Sequence, residues 1–302
     1  MLAQLAKLLP IVVLFFAGLG LHRLGWLRRR HGEWMLRLVV TLGLPALILS
    51  SLPRIALRPD LAWLPLAAVV TVCATGPLAV ILGRRLALDR ARLGVFVIGP
   101  MIMNLAFEYP FVLASWGEHG FAHLVLFDFG NGLLTFTLVY AVAAWYGRGG
   151  GDLRHALRGI AAFPPFWAVM VALALNLAGI GVPAPLADVL QGFGRTVVLL
   201  VLVALGIYFD PRLWRLPALW LALALRLVLG LGLGALCVAL FRLDGLMRAV
   251  VLLGVLAPIG FNTLVYAARE ALDREFAASL ASLSVLLALA YLPPLLWLLA
   301  PG

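Results

Sequence analysis

Apolar runs of about twenty residues follow one another along this chain and are separated only by short polar segments. A helix of roughly 20 apolar residues spans the hydrocarbon core of a bilayer. The chain has 302 residues and is 64% hydrophobic, whereas soluble domains are about 45–50% apolar. A soluble globule of this length could not bury so much apolar surface. The sequence therefore predicts an all-α polytopic membrane protein whose solvent is the lipid bilayer.

The apolar runs predict ten transmembrane helices. They cover approximately residues 5–21, 35–52, 61–83, 93–116, 120–146, 161–180, 189–209, 217–241, 248–270 and 276–299. A Gly-rich polar linker at 147–159 divides the chain into two halves, 1–146 and 160–302, and is far too short to fold by itself.

Basic residues predict how these helices are oriented. The net charge is +10, and 16 of the 23 Lys and Arg residues lie in the connections that follow helices 1, 3, 5, 7 and 9. Cytoplasmic loops carry an excess of Lys and Arg, so we expect a cytoplasmic linker and both termini outside. Loop charge explains the basic balance, and we expect no nucleic-acid partner. The Arg-rich, Lys-poor composition suits a GC-rich bacterium, which predicts the inner membrane.

Two predicted helices contain the same polar break, once in each half of the chain. Pro100 is followed by Asn104 in helix 4, and Pro258 is followed by Asn262 in helix 9. Both pairs repeat after 158 residues. A five-helix unit crosses the membrane an odd number of times, so its second copy has the opposite orientation. This pattern predicts two inverted five-helix repeats with broken helices 4 and 9, a plan typical of secondary transporters.

The two breaks are the candidate binding site. Each proline removes a backbone N–H from its helix, and free backbone at membrane depth is tolerated only where protein, water or ligand satisfies it. If the broken helices cross, their N-termini would suit an anion and their exposed carbonyls would suit a cation. The structural alternative is a pair of proline kinks whose asparagines bond across helices. Two matched breaks favour the site.

Three charged residues and one amide lie near the breaks in the sequence. Glu108 is either a proton- or cation-handling group or an acid that reaches water at the outer interface. We expect Asp128, close to Asn131 in helix 5, to make a polar contact to the crossing. Arg226 could pair an anionic substrate, but we favour a side chain that reaches the cytoplasmic face. Gly230 and Gly234 predict a close helix approach.

Enzyme, cofactor and metal functions receive little support. The chain has no HExxH motif, no convincing nucleophile–base pair and no paired catalytic aspartates. Cys73 and Cys237 fall within apolar runs, without metal-ligand spacing. We therefore expect no enzymatic activity and no cofactor, and no metal ligand is assigned. A receptor or channel stays open as an alternative, although the inverted repeat argues against it.

Several motifs, taken in order, resemble the auxin efflux carrier family of PIN-like transporters. They are NLAFEYP at 104–110, LAPIGFN at 256–262 with Ala267 and Ala268, LPAL at 44–47, NLAGIGVP at 176–183, Gly206, and Arg226 with Leu227. The resemblance implies ten helices in two inverted repeats, with helices 4 and 9 crossing. It implies a scaffold and a moving transport domain that carries a small organic anion of the auxin, malate or malonate kind. It also implies a homodimer.

Carried over to this sequence, the family's crossover site would consist of Pro100, Asn104, Pro258 and Asn262. Glu108 departs from the family pattern, which has a small residue there. The start of helix 10 keeps only the hydroxyls of Ser279, Ser282 and Ser284. The alternative within this architecture is a sodium- or proton-coupled carrier like the bile-acid symporters, with oxygen ligands from Glu108, Asp128 and Asn131.

Overall fold

The computed structural model describes residues 2–147 and 163–300. Apart from Gly147, the predicted linker at 147–159 lies outside these residues. Within the two described ranges the chain folds into helices joined by short connections, with one isolated β-bridge and no strand. The prediction of an all-helical polytopic membrane protein agrees with this structure.

The helices of the first range run as follows: α1 Leu2–Arg23, α2 Arg29–Leu38, α3 Leu44–Ser51, α4 Trp63–Gly83, α5 Arg90–Met101, α6 Leu105–Leu134 and α7 Tyr140–Tyr146. Single π-helical turns at Val39–Gly43 and Thr135–Val139 join α2 to α3 and α6 to α7. Gly117, with φ 65° and ψ −157°, interrupts α6 and divides it into two helical parts. A positive φ of this kind suits glycine because it has no Cβ.

The helices of the second range are α8 Pro164–Leu177, α9 Ala184–Val198, α10 Leu200–Tyr208, α11 Pro217–Leu240, α12 Gly245–Gly254, α13 Asn262–Arg269 and α14 Arg274–Leu298. Proline at the first or second position starts α8, α9 and α11. Proline suits a helix start because its missing N–H would lack an intrahelical partner there anyway.

Six continuous helical stretches in the described residues are long and apolar enough to cross a membrane. They are Arg29–Arg54, Pro59–Leu86, Leu105–Tyr146, Ala184–Tyr208, Pro217–Leu240 and Arg274–Leu298. Shorter apolar helices cover Leu8–Arg23, Pro164–Leu177 and Gly245–Gly254. The chain is therefore a polytopic membrane protein, while the count of ten membrane helices stays a prediction.

The helices pack in two groups. The first group consists of α1, α2, α3, α8, α9 and α10, in which α1 packs along α10 and α3 packs against α8 and α9. The second consists of α4–α7 and α11–α14, in which α4 packs on α5 and α6, and α12 packs on α6. Contacts between the groups are fewer and involve mainly α6 with α1, α3 and α9. Each group combines helices from both halves of the sequence.

Ion pairs and hydrogen bonds join connections at the same ends of the helices. Arg92 pairs with Asp273 at 2.8 Å, and Arg90 donates to the carbonyl of Trp145 at 2.6 Å. These contacts bring together the connections that follow predicted helices 3, 5 and 9. At another surface Glu118 pairs with Arg195 at 2.8 Å. The Arg-rich connections assigned to one side of the membrane by charge are thus in contact with one another.

Candidate functional site

The two helix breaks lie against each other. The N–H of Asn104 donates to the carbonyl of Pro258 at 2.8 Å, and the N–H of Gly260 donates to the carbonyl of Ile102 at 3.0 Å. Met103 and Ile259 consequently form an antiparallel bridge. Backbone groups that the breaks remove from their helices therefore satisfy each other, as buried backbone in a membrane requires.

Pro100 and Pro258 end helices rather than line a site. Pro100 is the penultimate residue of α5, which ends at Met101, and Pro258 lies between α12 and α13. Pro258 has no N–H to donate to the carbonyl of Gly254, four residues back. This carbonyl accepts instead from the N–H of Ala257 at 3.1 Å.

Arg226 also donates to the Gly254 carbonyl, and the expectation that its side chain reaches the cytoplasmic face is wrong. Only 1% of Arg226 is exposed. Its guanidinium donates to the carbonyls of Ala257 at 3.0 Å, Pro100 at 3.4 Å and Gly254 at 3.4 Å. The planar fork of an arginine offers five donors, which is why one side chain can bind carbonyls from both breaks. Arg226 holds the crossing together from the side of α11.

Asn131 fixes the first break from the opposite side. Its Oδ1 accepts from the N–H of Met103 at 3.2 Å, and its Nδ2 donates to the Met103 carbonyl at 3.1 Å. The same Nδ2 donates to Asp128 at 2.8 Å, and the Tyr109 hydroxyl donates to the other Asp128 oxygen at 2.5 Å. Asp128 therefore reaches the crossing through Asn131, and both of its oxygens have a donor.

Helix α14 supports the second break. The hydroxyl of Ser284 accepts from the N–H of Ile259 at 2.7 Å, and the hydroxyl of Tyr291 donates to the Leu256 carbonyl. The other two serines of this region act elsewhere. Ser282 and Ser279 accept from the backbone N–H groups of the connection at 209–216, at 2.8 and 3.0 Å. Their hydroxyls thus bind that connection rather than the crossing.

A cavity of about 460 Å³ lies beside the crossing, between the two helix groups. Its walls come from α2, α3, α8 and α10 of the first group and from both breaks and α6 of the second. Both π-helical turns contribute, through Val40, Thr41, Thr135 and Phe136. Among the sequence-predicted site residues, Asn104, Asn262, Asp128 and Asn131 line this cavity, whereas Pro100, Pro258 and Glu108 do not.

Two buried donors at the cavity wall have no protein partner. The side-chain oxygen of Asn104 accepts from the N–H of Phe107 at 3.3 Å and caps α6, but Asn104 Nδ2 makes no hydrogen bond in the described residues. The hydroxyl of Thr135 is also buried without a partner there. Asn104 and Thr135 are 8% and 2% exposed. A buried polar group without a partner costs about 1–3 kcal/mol, so both atoms are suited to a ligand.

Helix ends add to these donors. α6 begins after Asn104 and α13 begins at Asn262, so the N-termini of both helices meet at the cavity. A helix N-terminus carries about half a positive elementary charge and presents free N–H groups. Asn262 is half-buried, and its side chain makes no hydrogen bond to the described residues. The Arg37 side chain also contributes to the wall.

Glu108 lies outside the cavity wall and is fully buried. Neither carboxyl oxygen has a hydrogen-bond partner in the described residues. The alternative in which this acid reaches water at the outer interface is therefore wrong. The charges that act on Glu108 are those of Arg226 and Asp128.

Metal binding by clustered side chains finds no support in residues 2–147 and 163–300. No group of three or more His, Cys, Asp or Glu side chains in these ranges could hold a metal ion. The oxygen of Asn131, which the sodium alternative requires, already accepts from Met103. Asp128 and Asn131 line the cavity but Glu108 does not, so the three side chains do not share one wall.

Comparison with known proteins gives a coarse result. The chain is 28% identical over 297 residues to a protein of Methanothermobacter thermautotrophicus that is named an uncharacterized transporter. The match covers 96% of this chain and 95% of that protein. No family model matches the chain. The likeness extends over nearly the whole length and supports a role in transport, while membership of the auxin efflux carrier family stays a prediction.

Sequence reasoning missed several residues of the site. Thr135, Tyr109 and Arg37 were not singled out, although all three line the cavity. A buried hydroxyl in a membrane helix is an ordinary residue by sequence alone, because it can bond back to its own helix. The π-helical turn that contains Thr135 has no distinct sequence signal. Arg226 did carry a signal, as a charge within an apolar run.

Proposed function

We propose that this protein is a secondary transporter that moves a small organic anion across the membrane and binds it at the paired helix breaks. One observation carries the proposal. The side-chain nitrogen of Asn104 is buried, has no hydrogen-bond partner in the described residues and lies where two helices begin, on a cavity between two helix groups. A site of this kind holds a ligand that brings acceptor oxygens.

An anion fits the donors better than a cation does. Asn104 and Thr135 bring buried donors without a partner in the described residues to the cavity wall, and Asn262 and the starts of α6 and α13 lie on the same wall. The carbonyls that would attract a cation are already used, because Arg226 and the opposite break bind them. Asp128 is the acid on the wall, and its oxygens accept from Tyr109 and Asn131.

The shape of the wall suggests which carboxylates enter. Beyond the crossing it is formed mainly by aliphatic and aromatic side chains, which include Phe129, Phe136, Phe163, Phe166 and Phe261. Ligand pockets of about 300–1,000 Å³ with a few convergent polar groups are typical of small-molecule sites. A single carboxylate on an apolar or aromatic body matches this wall better than a dicarboxylate of the malate or malonate kind.

The architecture that we propose is the one implied by the auxin efflux carrier family. Ten membrane helices would form inverted repeats over 1–146 and 160–302, joined by the cytoplasmic linker at 147–159. The first helix group would be the scaffold and the second the transport domain, which would move past it as an elevator. We further propose the bacterial inner membrane, both termini outside, and a homodimer.

A sodium- or proton-coupled symporter of the bile-acid symporter type is the second candidate. Asp128, an acid on the cavity wall, is the observation that favours it. In this case the substrate would enter together with the coupling ion. Collapse of the sodium or proton gradient would then abolish concentrative uptake without abolishing exchange.

Counterflow into proteoliposomes tests the proposed function. Purified protein would be reconstituted in vesicles preloaded with unlabelled carboxylate and then given the labelled compound, with and without sodium. The panel contains phenylacetate, indole-3-acetate, malonate and malate. Counterflow is suited to this test because it needs neither a driving gradient nor knowledge of the coupling ion.

We expect saturable counterflow that exceeds the signal of protein-free vesicles, with aromatic monocarboxylates exchanged faster than malonate or malate. Protein-free vesicles are essential because protonated aromatic acids cross bilayers unaided. Exchange of a neutral or cationic solute, with no carboxylate exchanged above background, would overturn the proposal.

A further inference from the structure

Glu108 is a buried acid that neither the crossing nor the cavity uses. It is fully buried, and neither oxygen has a hydrogen-bond partner in the described residues. A carboxylate that lacks both water and hydrogen bonds is costly to keep ionised at membrane depth. Protonation removes this charge and breaks no hydrogen bond. Glu108 is therefore able to take up and release a proton without a change in its hydrogen bonds.

Arg226, which holds the crossing, is the positive charge that acts on Glu108. Arg226 is buried and donates only to backbone carbonyls, so none of its hydrogen-bond partners carries a charge. Glu108 and Tyr291 act on Arg226 electrostatically. Ionised Glu108 therefore supplies a negative counter-charge to a cation that is removed from water.

Glu108 is also close to the proposed substrate position. Asn104 caps the N-terminus of α6, and Glu108 lies in the first turn of the same helix, behind the cavity wall. A substrate carboxylate at Asn104 would thus add a second negative charge one helical turn from Glu108. Two carboxylates that share a site of low dielectric constant do not both stay ionised easily.

We propose that Glu108 carries the coupling proton of this transporter. When the substrate carboxylate binds at Asn104, one proton from water adds to a carboxylate oxygen of Glu108, and the substrate replaces Glu108 as a counter-charge of Arg226. When the substrate leaves on the other side, the O–H bond breaks and the proton returns to water. Before binding, Glu108 carries one negative charge. After binding, the substrate carboxylate carries it and Glu108 is neutral.

This inference rests on the proposed function and adds proton symport to it. The titratable and charged groups that interact with Glu108 come from three helices: Arg226 on α11, Tyr291 on α14, and Tyr109 and Asp128 on α6. Asp128 differs from Glu108 because Tyr109 and Asn131 donate to it and stabilise its ionised form. Glu108 has no such donors, which is why the proton is assigned to it.

Proton uptake on ligand binding tests the proposal directly. Phenylacetate, adjusted to the pH of the sample, would be added to the full-length protein in weakly buffered detergent solution containing a pH indicator. Binding of radiolabelled phenylacetate would be measured in parallel. We expect about one proton taken up per phenylacetate bound to the wild type, the same for Glu275→Gln, and none for Glu108→Gln despite binding. Glu275 is an exposed acid at the start of α14 and serves as the control.

Linkage adds a second readout. If one proton is taken up per anion bound, phenylacetate affinity of the wild type falls roughly tenfold per pH unit between about pH 6 and about pH 8, and that of Glu108→Gln stays level. Proton uptake that persists in Glu108→Gln, or that disappears only in Asp128→Asn, overturns the assignment. Binding to the wild type without proton uptake overturns proton coupling and leaves the proposed function intact.

An infrared measurement decides the matter even if phenylacetate does not bind, a result that would count against the proposed aromatic substrate. The pH-difference spectrum of the wild type should contain the carbonyl band of a buried carboxylic acid that titrates. The band should persist in Glu275→Gln, shift in Glu108→Asp and be absent from Glu108→Gln. A wild-type spectrum without such a band would contradict the role of Glu108.

Discussion

At the scale of single residues, Arg226 shows how a charge can be kept inside a membrane protein. Its guanidinium binds three carbonyls, at 3.0, 3.4 and 3.4 Å, that the two helix breaks leave exposed. Burial of an arginine is costly, and this cost is offset only where several acceptors surround the charge. The same three bonds satisfy backbone that has no water to bind. Arg226 is therefore expected to stabilise the crossing rather than contact the substrate.

Replacement of Arg226 by methionine should lower the free energy of unfolding by about 3–5 kcal/mol, because it leaves buried carbonyls and Glu108 without a partner. Arg226→Lys should lower it less, since the charge stays but the planar fork is lost. Denaturant unfolding in detergent would measure both changes, with exposed Arg248→Met as the control. If the Arg226–Glu108 interaction contributes, the double variant Arg226→Met/Glu108→Gln should regain part of the loss. Wild-type stability in Arg226→Met would contradict this account.

The sequence placed a charge in α11 but could not say where its side chain points. A snorkelling arginine and a buried one have the same local sequence, a charge about ten residues from a helix end. What separates them is the presence of acceptor carbonyls on neighbouring segments, here those of Pro100, Gly254 and Ala257. Such a partner is visible only once the chain has folded.

At the scale of elements, the breaks in the α5–α6 and α12–α13 segments act as a unit. Each supplies an N–H and a carbonyl to the other, while Asn131 binds the N–H and carbonyl of Met103 and Ser284 binds the N–H of Ile259. Proline and asparagine spacing predicted the position of both breaks. It could not predict Asn131 as the clamp of the first break, because that contact depends on how α6 returns past Gly117.

Asn131→Leu should destabilise the first break. Loss of its amide leaves the N–H and carbonyl of Met103 without their side-chain partner, at about 1–3 kcal/mol for each buried group. Thr137→Ala is the matched control, because its hydroxyl bonds only the Leu133 carbonyl on the same helix. The midpoint of thermal unfolding should fall clearly for Asn131→Leu and little for Thr137→Ala. Equal midpoints would show that Asn131 does not hold the break.

The approach of α11 to α12 gives a second prediction for the elements. A Cβ added at Gly230 would lie 2.3 Å from the carbonyl oxygen of Val255, whereas nothing lies within 4 Å of one added at Gly232. Gly230→Ala should therefore cost about 1–3 kcal/mol through overpacking, and Gly232→Ala should be neutral or stabilise the helix by up to about 1 kcal/mol. Unfolding curves of the two variants compare them directly, and equal stability would contradict the close packing.

At the scale of the whole molecule, the cavity lies where two helix groups meet, and each group draws on both halves of the chain. Apolar composition was enough to predict a helical membrane protein. The sequence could not define the cavity, because its wall combines side chains from helices far apart in the chain. Because the two groups make few contacts with each other, one group could shift past the other and change the access to a site between them.

Topology can be tested by cysteine labelling. Glu275 lies in a connection assigned to the cytoplasm, and Asp244 lies in one assigned to the outside; both are exposed. In a chain with Cys73 and Cys237 replaced by alanine, a membrane-impermeant thiol reagent should label Asp244→Cys in intact cells. Glu275→Cys should react only after permeabilisation. The reverse pattern would show that the protein has the opposite orientation.

Binding at the helix crossing is tested by the affinity of purified protein for phenylacetate in wild type, Asn104→Ala and Asn262→Ala. Each lost hydrogen bond to a charged ligand is worth about 1.5–3 kcal/mol, so affinity should fall by about tenfold or more in both variants. Asn176→Ala is the control, since Asn176 donates only to the carbonyls of Leu52 and Ile55, away from the cavity. This variant should lose stability but keep wild-type affinity. Wild-type affinity in both Asn104→Ala and Asn262→Ala would place the substrate elsewhere and contradict the account.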